Sequence, residues 1–165
     1  MSARAEIDAW RKVVRIDGRI SFAMTLDACR ERRKIETRRN GWAHAHAGLH
    51  LLAVDRVMGF RKGERVDDVV ELLGVVRVLE ARREPLNAIT VEGCTHEGLP
   101  DLTPERFVER YCKAMRHMPK LDVTVLRFAW LCAGKCGAIT SWARAYCDAC
   151  IDLGARQMHA AGVRP

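Results

Sequence analysis

The sequence predicts a mainly α protein: a helical bundle with a small C-terminal lobe built on four cysteines. Three observations carry that expectation. Apolar residues recur at helical spacing in successive stretches between residues 3 and 131. Gly, Asn-Gly and Pro signals close most of those stretches. Cysteine is unevenly placed, with Cys132, Cys136, Cys147 and Cys150 crowded into one short segment near the end.

The first stretch, Ala3 to Ile16, sets Ile7, Trp10, Val13, Val14 and Ile16 at helical spacing, and Asp17-Gly18 stops it. The second, Arg19 to Arg39, carries Ile20, Phe22, Ala23, Leu26 and Cys29, then turns into R-E-R-R-K-I-E-T-R-R before Asn40-Gly41. The third, Trp42 to Phe60, holds His44, His46 and His50 beside the apolar stripe Trp42, Leu49, Leu52 and Met58. His46 and His50 share a helix face, but no Glu stands between them as in H-E-x-x-H, so they border the stripe and are not assigned as ligands. The fourth, Val66 to Arg83, is apolar nearly all round, which marks a core helix or a contact with a partner protein or a second copy.

Glu84 to Thr103 breaks the periodicity with Pro85, Gly93, Gly98 and Pro100 and reads as a linker, with room for one short strand over Ile89 to Val91. A lone Cys94-Thr95-His96 there is too sparse to make a metal site. Thr103-Pro104-Glu105 is a helix start with an N-cap hydroxyl, Pro at N1 and acid in the first turn. That fifth helix runs to about Met118 and buries Phe107, Val108, Tyr111 and Met115. Leu121 to Leu131 makes a sixth, feeding straight into Cys132. The resulting organisation is an N-terminal helical part over 1–84, a linker over 85–102, and C-terminal helices over 103–165 with the lobe at 132–150, packed as one compact unit.

The lobe is where spacing implies chemistry. C-A-G-K-C-G and C-D-A-C flank Ile139, Thr140, Trp142 and Tyr146, residue types of a small hairpin, and the second pair leads into a helix ending at Gly162. Gly134 and Gly137 allow the tight turn that aims backbone N–H groups at thiolate sulfurs. Four thiolates so placed suit tetrahedral Zn²⁺ in a ribbon or treble-clef-like lobe. Ordinary buried cysteines, or a redox pair at Cys147 and Cys150, are the alternatives. The first pair's three-residue spacing departs from the usual two.

Charge points to a polyanion. The net charge of +7 and the excess of Arg over Lys favour phosphate contacts. Arg30, Arg32, Arg33, Lys34, Arg38 and Arg39 are the densest cluster, read as a nucleic-acid footprint, for DNA, or alternatively as a solvated helix end. No Walker loop, G-x-S-x-G or G-x-G-x-x-G occurs, and four cysteines close a metal shell, so no enzyme is expected. No apolar run is long enough for a membrane span and the first residues lack the apolar core of an export signal, which places the chain in the cytoplasm.

L-R-F-A-W-L running into C-x-x-x-C-G, followed by Y-C-x-x-C, resembles the C subunit of the flagellar master transcription activator over Leu126 to Cys150. That resemblance implies a helical DNA-binding activator with a partner subunit and with Cys132, Cys136, Cys147 and Cys150 as zinc ligands. The function expected from sequence is a nucleic-acid-binding transcriptional regulator with structural zinc. The alternative is a protein-interaction adaptor or inhibitor module, of the kind mobile elements carry, that does not bind DNA.

Overall fold

The computed structural model describes residues 2–116, 118–140 and 144–160, without the side chains of 155–160. The predicted Trp142 and Gly162 features lie outside the described residues. The centre of the molecule is a curled five-stranded half-barrel sheet, which replaces the expected helical bundle. The strands are β1 (Gly18–Ser21), β2 (Glu36–Arg39), β3 (His50–Val54), β4 (Leu72–Pro85) and β5 (Asp122–Trp130). They lie in the order β1-β3-β4-β5-β2. The β1–β3 pairing is parallel and the others are antiparallel.

The apolar run expected to be the fourth helix is chiefly β4. Only Val66–Val69 is helical (α3), and the valine-rich remainder is extended. The run looked apolar all round because the strand is covered on both faces, a pattern that period alone cannot separate from a buried helix. Val75 faces Ile7, Trp10, Leu52, Val54 and Leu131, whereas Val76 and Val78 join Ile20, Phe22, Leu51, Phe128 and Trp130 on the other side. β3 and β5 flank β4, and its first half, Leu73 to Val76 with Val78, is buried in the sheet, while Arg77, Leu79 and Glu80 are exposed. The third and sixth expected helices are likewise corrected. β3 alternates Leu51 and Ala53 against Leu52 and Val54, and β5 alternates Val123 and Val125 against Leu126, Phe128 and Trp130. β-branched and aromatic residues at period two explain both strands.

Helices appear where capping chemistry is strongest. α1 (Ala3–Arg11) has Ser2 as N-cap and buries Ile7 and Trp10, stopping earlier than Ile16. α2 (Leu26–Arg30) is all that is helical in the second stretch, whose Arg-rich end becomes a turn and then β2. The expected linker contains a 3-10 turn, Leu86–Ala88, and α4 (Val91–His96), with Leu86, Ile89 and Cys94 buried. In place of a strand over Ile89 to Val91, Thr90 caps α4, its Oγ1 accepting from the Gly93 N–H at 3.1 Å. α5 (Pro104–Met115) starts as expected, with the Thr103 hydroxyl accepting from Arg106 N–H, and it buries Phe107, Val108 and Tyr111. α6 (Asp148–Ala160) follows the second cysteine pair. Among the described residues no helix is long and apolar enough to cross a membrane.

Strand and helix readings of β4 differ sharply at two positions. Val75 is 0 % exposed and Leu79 is 46 % exposed. Val75→Asp should therefore cost more than about 3 kcal/mol, while Leu79→Glu should stay within about 1 kcal/mol. Urea unfolding of the two variants checks this, since a helix buried all round would suffer from both.

Candidate ligand cleft and four-cysteine centre

The Arg-rich stretch turns inward because strand alternation, once β2 pairs with β5, sends successive side chains to opposite faces. Of the six predicted footprint residues, Arg30 stays exposed and pairs with Glu71 at 2.8 Å and Asp27 at 2.9 Å. Arg33 lies beside Glu31. Lys34 is buried against Glu97, with Nζ donating to the carboxylate and, at 2.7 Å, to the Glu97 carbonyl. Arg38 is buried among Glu36 (3.0 Å), Glu84 (2.8 Å) and Glu97 (3.5 Å). Arg39 donates to the Ser21 carbonyl and stands 5.4 Å from the Phe22 ring centroid. Arg32 is buried over Trp130. The six do not form one exposed basic face.

Instead, Lys34, Thr37, Arg38, Arg39 and Glu97 line a cleft with about 110 Å³ of solvent space. Phe22, Leu99, Phe107, Tyr111 and Met115 add apolar lining, and Arg110 lines it from α5. Burial pushes the Lys34 amine below its usual range, and the neighbouring Glu97 charge pulls the other way. Burial lowers Arg39 and raises the Tyr111 phenol. Arg39 Nε is buried without a hydrogen-bond partner among the described residues. Glu97 is fixed from two directions, its Oε1 accepting from the Arg38 N–H at 2.6 Å and its other oxygen from Lys34. Gly98 follows it at φ +82°, where a Cβ would lie 2.4 Å from the Ala28 Cβ. The chain therefore has no room for a side chain immediately after its buried acid.

Sequence reasoning missed Thr37, Glu97, Arg110 and Tyr111 as site residues. The available signal was the alternation within Lys34 to Arg39, charged residues at two-residue steps around Thr37, which suits a strand better than a helix end. On α5, Arg106, Arg110 and Lys113 are exposed at i, i+4 and i+7 spacing, hence on one side of the helix. None of the three has an ion-pair partner among the described residues. His50 begins β3, its N–H donating to Asp17 at 3.0 Å, and His46 contacts the Ala47 carbonyl at 2.8 Å. Cys94 is buried, and His96 stands 3.7 Å from Glu92.

The four late cysteines do converge. Their sulfurs lie within 4.8 Å of one another, so the group could hold a metal ion. Cys136 and Cys147 are 3.5 Å apart at sulfur. Tetrahedral thiolates at a usual Zn–S distance would stand about 3.8 Å apart, which this arrangement fits. A bridge between Leu131 and Ile139 and the Cys132 N–H to Ala138 carbonyl bond (2.8 Å) close the first turn. Lys135 at φ +55° and Gly137 at φ +80° make the reversal. A Cβ on Gly134 would lie 2.8 Å from the Cys150 sulfur, so glycine keeps this cradle open. Burial pushes the Cys132 thiol up, but N–H groups of Cys147 and Gly134 reverse that and bring it to about 7.

No family model matches the chain, and no curated protein does. Two solved structures share its architecture. One is a protein of Enterococcus faecalis V583 carrying the family label DUF984, with a TM-score of 0.51 and 12% identity over 78% of this chain and 88% of that one. The other is an ASCH domain from Lactobacillus crispatus JV V101, with a TM-score of 0.50 and 10% identity over 78% of this chain and 94% of that one. These likenesses, with the sheet itself, overturn the resemblance to the helical flagellar activator subunit and the transcriptional-regulator assignment built on it. What the chain shares with DUF984 and ASCH domains is a fold.

Proposed function

We propose that the cleft binds a nucleobase-bearing ligand, either a free nucleotide or an unpaired residue of a single-stranded nucleic acid. The observation that carries the proposal is the juxtaposition of apolar and aromatic lining with buried, fixed hydrogen-bonding groups: Lys34, Glu97 and the unpartnered Nε of Arg39. A planar heterocycle has π faces to stack on Phe22 or Tyr111 and a rim of donors and acceptors to meet those groups. A base inside a duplex would have to leave its stack to enter such a cleft. Single strands are therefore the natural polymeric source. Arg110 and its neighbours Arg106 and Lys113 supply positive charge for the phosphate.

A second reading, catalysis within the same cleft, is favoured by one observation: the desolvated Lys34 lines it together with Thr37. A neutral amine at that position would be a base for the Thr37 hydroxyl, and Arg39 would offset charge developing on a bound carbonyl. Among the alternatives for the cysteines, we take one structural Zn²⁺ held by Cys132, Cys136, Cys147 and Cys150, with no open coordination position. The free thiols of Cys29, Cys94 and Cys112 suit the reducing cytoplasm.

Calorimetry with nucleoside monophosphates and with short single-stranded RNA and DNA tests the cleft, and mononucleotide and strand arms distinguish the two sources. Tyr111→Ala and Arg39→Gln should each weaken binding by about tenfold or more, from lost stacking and a lost donor. No saturable binding of any of these ligands by the unaltered protein would refute the proposal. For strands, replacing Arg106 and Lys113 by Gln should flatten the log–log salt dependence by about 1.4 units, roughly 0.7 per contact. The catalytic reading is checked by incubating acylated nucleosides with the protein. Turnover abolished by Thr37→Val, with ligand still bound, would support it.

Elemental analysis should find about one zinc per chain. Stripping it with a strong chelator should lower the melting temperature and expose the segment after Leu131 to protease.

A further inference from the structure

We infer that Arg32 is the buried counter-charge of the metal-bound four-cysteine centre and ties that centre to the floor of the cleft. The inference rests on the zinc reading above. Arg32 is 7 % exposed, and its Nη1 donates at 3.1 Å to the carbonyl of Leu131, the residue immediately before Cys132. Its guanidinium carbon stands 4.7 Å from the centroid of the Trp130 ring. The buried cations Lys34 and Arg38 each meet a carboxylate, but among the described residues Arg32 forms no ion pair. Burial lowers the Arg32 guanidinium below its usual range, and Cys132, Tyr146 and Cys29, two thiols and a phenol, pull the other way.

A guanidinium buried without an anion is expensive. So is a zinc tetrathiolate, whose formal charge is about −2, without a cation. Placed together, each relieves the other. The neighbouring surface cations serve the centre less well. Arg144 is already paired with Asp148 at 2.7 Å, and Lys135 is not buried as Arg32 is.

The seat for Arg32 is built on both sides. Its own backbone is held at φ +59°, a left-handed conformation that residues other than glycine rarely adopt. Opposite it, Gly74 sits at φ +141°, where a Cβ would lie 3.1 Å from Arg32 Nη2. Two residues farther on, Lys34 enters the cleft, and its carbonyl accepts from Trp130 Nε1 at 2.8 Å. Trp130 is thus clasped by Arg32 over its ring and by Lys34 at its indole N–H, two residues before the first metal ligand. Arg32 is a positioning residue, acting on the cleft through Trp130 and Lys34.

The test compares the full-length protein with Arg32→Met and Arg32→Lys, using zinc alone as the probe. Competition with a chromophoric chelator should show zinc held about tenfold or more less tightly by Arg32→Met, the range typical of groups just outside the ligand shell. Arg32→Lys, which keeps the charge, should recover most of the loss. The melting-temperature gap between zinc-loaded and zinc-free protein should shrink in Arg32→Met, because the substitution removes a charge that only the loaded centre needs. If Arg32→Met instead lowers both melting temperatures equally and leaves zinc affinity unchanged, Arg32 is only a packing residue and the inference is overturned. Should Arg32→Met fail to fold, Arg32→Lys decides: affinity within about threefold of the unaltered protein supports the assignment, and a loss as large as the tenfold set for Arg32→Met sinks it. An unaltered protein that binds no stoichiometric zinc defeats the zinc reading first, and the counter-charge falls with it.

Discussion

The contact on which the rest of the structure depends is the buried pairing of Lys34 with Glu97. Both side chains are almost fully removed from solvent, and neither charge could stay there alone, since breaking such a pair leaves an uncompensated ion costing about 3–5 kcal/mol. The pair joins the start of an edge strand to the residue just beyond α4, elements far apart in sequence. Because Glu97 also accepts from the Arg38 N–H, it anchors β2 along the side not paired with β5. One ladder N–H of that edge strand is thereby taken up by a side chain and withheld from another chain. The cleft is then the space this arrangement leaves between β2, the turn after β1, and α5.

How much was legible follows from which forces were local. The Thr103-Pro104 start of α5 and the amphipathic α1 depend on capping and on one buried face, and both could be read from neighbouring residues. The four-cysteine centre was legible because thiol spacing and the flanking glycines are themselves local. The sheet was not. β5 and the first half of β4 are covered on both faces, so their sequences lack the polar alternation of a half-exposed strand, and Val75 beside Val76 looked like a helix core. The cleft was least legible, since Lys34 and Glu97 meet only after β2, α4 and β5 have been brought together.

The same burial changes the meaning of the positive charge. A count of cations along Arg30 to Arg39 suggested a surface for phosphate, yet most of that stretch is occupied with Asp27, Glu31, Glu36, Glu84, Glu97 and backbone carbonyls. On α5, by contrast, Arg106, Arg110 and Lys113 are exposed with no ion-pair partner among the described residues, beside apolar residues that pack on the sheet. Density along the chain is therefore a poor guide to density on a surface. Charges close in sequence on a strand point apart, and charges a turn apart on a helix point together.

Gly98 has a consequence for tracing distant cousins of this chain. With backbone at φ +82° and the Ala28 methyl occupying the place of any Cβ, the residue after the buried acid has almost no freedom to vary while the fold is kept. An acid-glycine step downstream of a lysine-led edge strand would then persist where apolar positions drift among Val, Ile and Leu. A short pattern anchored on Lys34, Glu97 and Gly98 states that steric limit in three residues of this chain.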